Sequence, residues 1–337
     1  GEARELSGEA VVTGYLAGFE AMCFLANAAS ESHYEAGWHS TSTLGTFGAA
    51  AATATALGRS RETIADALRI AASSPAGLRV NFSSSTKAAH AGQAARAGLT
   101  ATLLATNGFD GARGALGTDG GFLDLYTRPG GPSLADAAPL GEEWAIESAG
   151  INTKRYPCCY YTQTALVSAL ELARERDLGP AAVTGVTVTA SAGAAEVLTY
   201  DEPTSGQAAK FSMHHAVAAA IADHQVGFET FSDDAVHRSD LARLRDLTTL
   251  VVDESLPYDA YETTLTVETS EETVSRTRTL PPGAHGNPLS ADEFADKFHE
   301  CATASVSPDT ATAMYDSLQA VRTYDDVGRV FDPFVGR

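Results

Sequence analysis

The chain changes its hydrophobic period once, near Gly150, and that change limits the fold more than any other feature. Before it, small and apolar residues recur at helical spacing. After it, an alternation of Val and Thr with period two enters at Val183–Ala190. That order predicts a mainly α protein, with a large all-helical domain followed by a smaller α+β domain.

In the first half, Val11–Ala29 is apolar on one face and Leu44–Leu57 is alanine-rich, stopping at Gly58. Ser60 caps a helix with Ile64, Ala67, Leu68 and Ala71 on one stripe, and Ala88–Thr106 closes at Asn107-Gly108. Glycine and proline dominate Phe109–Gly150, which reads as loop. Beyond it, Gln163–Arg176, Lys210–Ala222 and Asp233–Leu247 read as helices, and Leu250–Glu254, Thr263–Thr269 and Thr273–Leu280 as strands. Ser290-Ala291-Asp292-Glu293 is a capping box, and Pro308 opens a final helix behind Ser307. The predicted organisation is a helical domain over 1–148, an α+β domain over 149–290, and a helical tail over 291–337 that packs back on the first domain.

A length of 337 residues fits about two domains. The net charge of −20 argues against nucleic acid and anionic membrane surfaces as partners. No apolar run approaches the roughly 18 residues of a membrane span, and the first residues carry no signal-peptide pattern. Cys23, Cys158, Cys159 and Cys301 show neither CxxC spacing nor a disulfide framework, so the cytoplasm is the expected compartment. Only four lysines occur: Lys87, Lys154, Lys210 and Lys297. An acidic, lysine-poor surface fits a salt-loving source, and a GC-rich genome would produce the same bias towards arginine.

Three segments could carry chemistry. Gly37-Trp38-His39-Ser40-Thr41-Ser42-Thr43 runs into an Ala/Gly helix, placing His39 and a set of hydroxyls, Thr41 among them, at a helix start. Free N–H groups there suit an anion, although a plain capped helix start with a satisfied histidine fits the same residues. Ser83-Ser84-Ser85-Thr86-Lys87-Ala88-Ala89-His90 delivers Lys87 to the start of another small-residue helix, with Ser85 and Thr86 before it and His90 one turn on. His90 either orients Lys87 or lines the core. Lys154-Arg155-Tyr156-Pro157-Cys158-Cys159 sets two cations beside a bend at the domain junction. Of the adjacent pair His214-His215, at most one faces a site. Metal-binding spacings, a strand-following GxGxxG and a GxSxG elbow are all missing, so no metal is expected.

Taken with Ala209-Lys210-Phe211-Ser212 and with Pro282-Gly283-Ala284-His285-Gly286-Asn287-Pro288-Leu289 followed by Lys297-Phe298, these segments resemble the MmgE/PrpD family in order along nearly the whole chain. That family includes 2-methylcitrate dehydratase, cis-aconitate decarboxylase and iminodisuccinate epimerase. The resemblance implies a homodimer with its site between a helical domain and an α+β lid, and proton transfer next to a carboxylate without metal or organic cofactor. By motif, His39 matches the family's active-site histidine, Lys87 the lysine of the helical domain and Lys154 the lysine at the lid junction. His215 falls where some members have a tyrosine. Family members typically open with about a hundred more residues that include an Asp-rich, His-containing motif. The chain is then a fragment, or a separate N-terminal polypeptide completes it, or the chemistry has been lost.

The expected function is a cofactor-independent lyase acting on a small di- or tricarboxylate, a dehydratase of the 2-methylcitrate type first. Lys87, Lys154 and Arg155 would hold carboxylates, with Thr41, Ser85, Thr86 and His90 assisting, while His39 and His215 transfer protons. Epimerisation, isomerisation and decarboxylation are the rivals among enzymes. Outside catalysis, the rival is a binding or assembly subunit inert by itself.

Overall fold

The structure is a computed structural model that describes the chain apart from residues 83, 118, 129–133, 135–136, 138–139 and 336–337, and apart from the side chain at position 30. Ser83 of the hydroxyl run, and parts of the segment read as loop over 109–150, therefore lie outside the described residues. The chain divides into two compact units, one of Gly1–Gly150 with Ala295–Arg337 and one of Ile151–Phe294.

The first unit is helical: α1 (Gly8–Glu35), α2 (Ser40–Ala56), α3 (Arg61–Ala71), α4 (Ser85–Thr106), α5 (Phe122–Tyr126) and α6 (Ala145–Ser148). Ser7 and Ser60 cap α1 and α3 by accepting the N–H groups of Ala10 and Thr63, each at 3.2 Å. Two further short helices thus interrupt the segment that reads as loop. Both are held by tertiary contacts that local composition does not announce.

The alanine-rich α2 lies between α1 and α4 at backbone-contact distance. A Cβ on Gly18 would meet the Gly48 carbonyl oxygen at 2.5 Å, and one on Gly14 would meet that of Ala52 at 2.6 Å. On the other side, a Cβ on Gly98 would sit 2.5 Å from the Ala50 nitrogen and the Thr46 oxygen. Thr102 Oγ1 donates to the Ala50 carbonyl across the same seam, at 3.0 Å. Larger residues would hold the helices apart, which explains the composition. Gly98→Val should therefore lower the denaturant midpoint, by about 3 kcal/mol in unfolding free energy, the upper end for overpacking because rigid backbone receives the clash. A midpoint within error of the parent chain would show that the seam can open.

One expectation needs correcting. By mean hydropathy (1.3), Gly8–Ala29 of α1 is long and apolar enough to cross a membrane by length and composition. Thr13, Asn27 and Glu20 break up the apolar run without lowering its average far, so a search for uninterrupted runs passes over it. The same helix supplies Leu25, Ala28 and Ala29 to a core that also contains Leu44, Phe47, Ala101, Phe122 and Leu123.

The second unit holds α7 (Gln163–Arg176), β1 (Val183–Ala190), α8 (Ala192–Val197), α9 (Gly206–Ala209), α10 (Met213–Asp223), α11 (Asp233–Val236), α12 (Ser239–Asp246), β2 (Thr248–Val252), β3 (Thr263–Thr269) and β4 (Thr273–Arg278). The sheet order is β2-β1-β3-β4. β1 and β2 pair in parallel, so the chain between them must cross over, and α8 to α12 form that crossover. β3 pairs antiparallel to β1 and to β4, the latter as the expected hairpin.

One face of the sheet is buried. Val186, Val188, Leu265 and Val267 join Leu166, Leu170, Met213 and Ile221 of α7 and α10 in one core. The opposite face carries a polar ladder, Thr264 with Thr277 at 2.7 Å and Thr266 with Ser275 at 3.1 Å. The helix read over 210–222 begins only at Met213, because Lys210 closes α9 and Ser212 caps α10 by accepting the His215 N–H at 3.0 Å. The helix read over 233–247 is two, α11 and α12, with Arg238 in extended conformation between them.

The chain then enters α13 (Ala291–Ala302) through the expected capping box, in which Glu293 Oε2 accepts the Ser290 N–H at 2.9 Å and Ser290 Oγ accepts the Glu293 N–H at 3.2 Å. It ends in α14 (Pro308–Gln319) and α15 (Asp332–Val335).

Candidate active site

In the first unit, His39 stands at the junction of α1 and α2 on a bed made by a segment that sequence reading passed over. Trp38 and Leu78 form an antiparallel bridge. The His39 N–H donates to Gly77 O at 3.1 Å, and the Arg79 N–H donates to Gly37 O at 2.9 Å. Gly77 has φ +126°, and a Cβ there would meet Ser42 Cβ at 2.6 Å, so only glycine fits the bed. Tyr126 fastens both strands of the bridge. Its ring packs on Trp38 at 4.6 Å between centroids, its hydroxyl donates to Pro75 O at 2.7 Å, and its carbonyl lies 2.9 Å from His33 Nδ1. The signal for this bed was Pro75-Ala76-Gly77, which reads locally as a helix stop.

His39 is 8% exposed, and its imidazole meets His90 and Phe82. His39 Nδ1 lies 2.8 Å from His90 Nδ1, and the edge of Phe82 approaches at 4.9 Å between centroids. The Lys87 ammonium sits over the other part of this group, 4.0 Å from the Phe82 centroid. Burial, then the charge of Lys87, then His90, push the His39 pKa down to about 4. His39 is therefore neutral at pH 7.

The hydroxyl-rich cradle expected around His39 is largely turned inward. Ser42, Thr43 and Thr46 are buried, with Thr46 Oγ1 donating to Ser42 O at 3.0 Å and Thr43 Oγ1 lying 2.7 Å from His33 Nε2. These bonds help to hold α2 in place, while Ser42 and Thr46 also line a cavity of about 470 Å³ with Gln93 and Arg96. Thr41 is exposed in the first turn of α2, as are Ser85 and Thr86 in the first turn of α4. Because α4 begins at Ser85, Lys87 lies within the first turn and not ahead of it. A helix dipole disfavours a cation there. The Phe82 ring face offsets part of that cost.

In the second unit, the Lys154 segment and the late glycine-rich motif come together. The Thr153 N–H donates to Gly283 O at 2.7 Å, and the His285 N–H donates to Asn152 Oδ1 at 2.9 Å. Gly283 has φ +86°, and any Cβ on it would collide with the Thr153 carbonyl oxygen. Buried Gln163 clamps the bend from inside. Its Oε1 accepts the Tyr156 N–H and its Nε2 donates to Tyr156 O, both at 3.1 Å. Lys154 is exposed, and the Arg155 guanidinium lies 5.3 Å from the Tyr156 ring centroid.

The Cys159 N–H donates to Lys210 O at 2.8 Å, which brings a second scarce lysine to this cluster. Lys154 and Lys210 both act electrostatically on the Cys158 thiol, yet burial dominates and pushes it up to about 12. Cys158 is a packing residue, not a thiolate. Sequence reading quoted Lys210 and Gln163 without giving either a role, since nothing in one sequence shows which loop they brace.

His215 lies in α10 with 0% exposure. Its Nε2–H donates to Thr230 O at 2.8 Å, and its Nδ1 accepts from Arg245 Nη1 at 3.3 Å. Burial, the largest effect, holds its pKa down. Both ring nitrogens are thus engaged, and the ring serves as a bearing for Arg245, itself buried and donating to Val236 O at 3.0 Å. The geometry unites His39, His90 and Lys87 in one unit and Lys154, Arg155 and Lys210 in the other, and leaves His215 with Arg245. Among the described residues, no three His, Cys, Asp or Glu side chains converge as a metal set.

Comparison with known proteins matches residues 1–135 to the MmgE/PrpD N-terminal domain and residues 156–320 to the MmgE/PrpD C-terminal domain. Cis-aconitate decarboxylase of Homo sapiens is 25% identical over 300 residues, covering 86% of this chain and 61% of that protein. The enzyme of that name from Aspergillus terreus (strain NIH 2624 / FGSC A1156) is 29% identical over 263 residues, 72% of this chain and 53% of the relative. The Mus musculus protein is 25% identical over 299 residues, 86% of this chain and 60% of the relative. The chain thus spans between half and two thirds of the length of these relatives.

Proposed function

Since the chain belongs to the MmgE/PrpD family, we propose that it carries the proton-transfer and carboxylate-binding groups of a lyase that acts on a small polycarboxylate. The observation that carries this reading is the His39 cluster, a buried neutral imidazole with a lysine close enough to depress its pKa. A neutral imidazole at pH 7 can accept a proton from carbon, and the imidazolium so formed can give one back. A lysine beside it can hold a substrate carboxylate and stabilise the charge that gathers there in the transition state. The second unit carries, in Lys154 and Arg155, two cations of the kind that bind carboxylates. On the geometry, His215 is left out of the proton chemistry and given to Arg245.

Decarboxylation moves ahead of dehydration in this reading, because the relatives described above are named cis-aconitate decarboxylases. When CO₂ leaves, the bonding pair remains on carbon, conjugated with a neighbouring carboxylate. Lys87 stabilises that charge, and carbon takes a proton that His39 has first drawn from solvent. Dehydration would use the same groups with hydroxide leaving as water.

The deciding experiment offers cis-aconitate, citrate, 2-methylcitrate and iminodisuccinate, at low and high salt, to an active preparation containing this chain. CO₂ release from cis-aconitate supports decarboxylation. Loss of water from 2-methylcitrate supports dehydration instead. Deuterium entering recovered iminodisuccinate without other products supports epimerisation. A preparation that is folded and turns over none of them ends the lyase reading.

A further inference from the structure

His39 and His90 are two buried imidazoles, 8% and 2% exposed, whose Nδ1 atoms lie 2.8 Å apart. Two nitrogen lone pairs cannot approach so closely without a proton between them, so one ring must donate Nδ1–H to the other. The ring planes are tilted by 49°, with centroids 5.0 Å apart, so the contact is edge-on through these nitrogens and not a stack. We infer that His39 and His90 form a proton-sharing dyad, in which the proton between the two Nδ1 atoms spreads over both rings the charge that His39 Nε2 takes up when it removes a proton from substrate. The inference rests on the reading of His39 as the proton-transfer group.

The chemistry follows by counting protons. A neutral pair carries two N–H protons on four nitrogens. With His39 donating Nδ1–H, His39 Nε2 is a bare lone pair and His90 carries its other proton on Nε2. With His90 donating, His39 Nδ1 is the acceptor and His39 Nε2 carries hydrogen. Proton removal from substrate carbon uses the first arrangement. The new bond is Nε2–H, the broken bond is C–H, and the electron pair stays on substrate carbon. The dyad then holds three N–H protons and one positive charge, which the central proton spreads over both rings. Protonation of carbon runs that step in reverse: the Nε2–H bond breaks, the C–H bond forms, and the dyad returns to two N–H protons and no charge. His90 acts through His39 and is a positioning residue, a sharper role than either assisting a carboxylate or lining the core.

The surroundings support a single central proton. Among the described residues, Phe82 and His90 meet the His39 ring and Lys87 acts on it through its charge, and no carboxylate is among the causes that shift its pKa. Doubly charging the pair beside Lys87 would be costly, while in the singly charged pair the central proton can move along the 2.8 Å bond with no change in net charge and no separation of charge. Backbone contacts hold the rings together from both sides. His39 is fixed by its N–H bond to Gly77 O, and Gly77 lies so close to His90 that a Cβ on it would meet His90 Cε1 at 3.4 Å.

The test is nitrogen-15 NMR of the chain labelled at histidine. The dyad predicts scalar coupling between the two Nδ1 nuclei and one shared proton far downfield at pH 7. His90→Asn, which can hydrogen-bond His39 but cannot pass a proton on, should abolish the coupling and change the His39 tautomer. In an active preparation the same variant should lower kcat about a hundredfold with KM little changed. Two uncoupled Nδ1 signals in the parent chain overturn the dyad, whatever the variants do. So does a His90→Asn variant with unaltered His39 shifts. The spectra need no turnover, so if His39→Ala retains activity the lyase reading fails while the coupling still reports on the pair.

Discussion

Replacing His39 by Ala is expected to lower polycarboxylate turnover about a thousandfold in an active preparation, with the thermal midpoint nearly unchanged. The two outcomes separate because the site uses the imidazole while the fold uses the backbone. The N–H bond from residue 39 to Gly77 O and the carbonyl acceptance of the Ser42 N–H at 2.8 Å both survive the substitution. Loss of the ring removes the group that meets both the Phe82 edge and His90 Nδ1. Lys87→Ala should instead act through charge. It removes a carboxylate partner, and with it one cause of the depressed His39 pKa, so the acid limb of the pH–rate profile should move to higher pH. Measuring kcat against pH for the parent and for Lys87→Ala checks both statements. A His39→Ala preparation with near-parental kcat would remove His39 from the mechanism.

The second large effect is on stability in acid. His33, His39, His214 and His215 all have pKa values held below 6.5, in each case chiefly by burial. In the unfolded chain they titrate near 6.5, so below that pH the unfolded state binds protons that the folded state refuses. Stability is therefore full above pH 6.5 and falls as the pH drops towards the folded values, near 4 for His39. Each such histidine contributes about 1.4 kcal/mol per pH unit in that window, so the slope is steep wherever several act together. Urea midpoints measured between pH 7.5 and 4.5 should decline smoothly from about pH 6.5 downward. A flat profile across this range would mean that the rings are hydrated or already protonated in the fold. His215→Leu should flatten the decline only in part, and would cost stability at pH 7.5 by taking from the buried Arg245 the acceptor of its Nη1, with only the Nη2 bond to Val236 O retained.

Much of this architecture was legible in one sequence, for reasons that differ by element. The bounds of β1 and β3 are legible because apolar residues alternate with Thr over 186–190 and 264–267, where one face is buried and the other is not. The capping box at Ser290 and the Ser60 cap were legible because the side chains that satisfy the helix start lie within four residues of it. α5 was not, since Phe122–Tyr126 is helical through its packing on His33 and Trp38, far away in sequence. In the same way His39 and Lys87 could be named from their local company, while the Gly77 bed, the Gln163 clamp and the contact with His90 could not. Each of those joins residues more distant than any local pattern can reach, except Gln163, whose amide needs the fold of the Tyr156 bend to show its use. The orientation of the hydroxyls was beyond reach as well. Four Ser or Thr residues in a row look alike until the helix decides which of them face the core.

The seam between α1, α2 and α4 has a bearing on the histidine pair that composition alone would not disclose. His39 stands at the first end of α2, and His90 lies in the second turn of α4. The spacing of those two helices is fixed where Gly98 meets the α2 backbone, two turns further along α4. Main chain resting on main chain has no rotamers to relax into, so the interaxial distance works as a gauge block. A gap of a few tenths of an ångström opened at Gly98 would be carried to the imidazoles as a stretched, weaker contact. Residues remote from any ligand would then govern how readily one proton crosses between two rings.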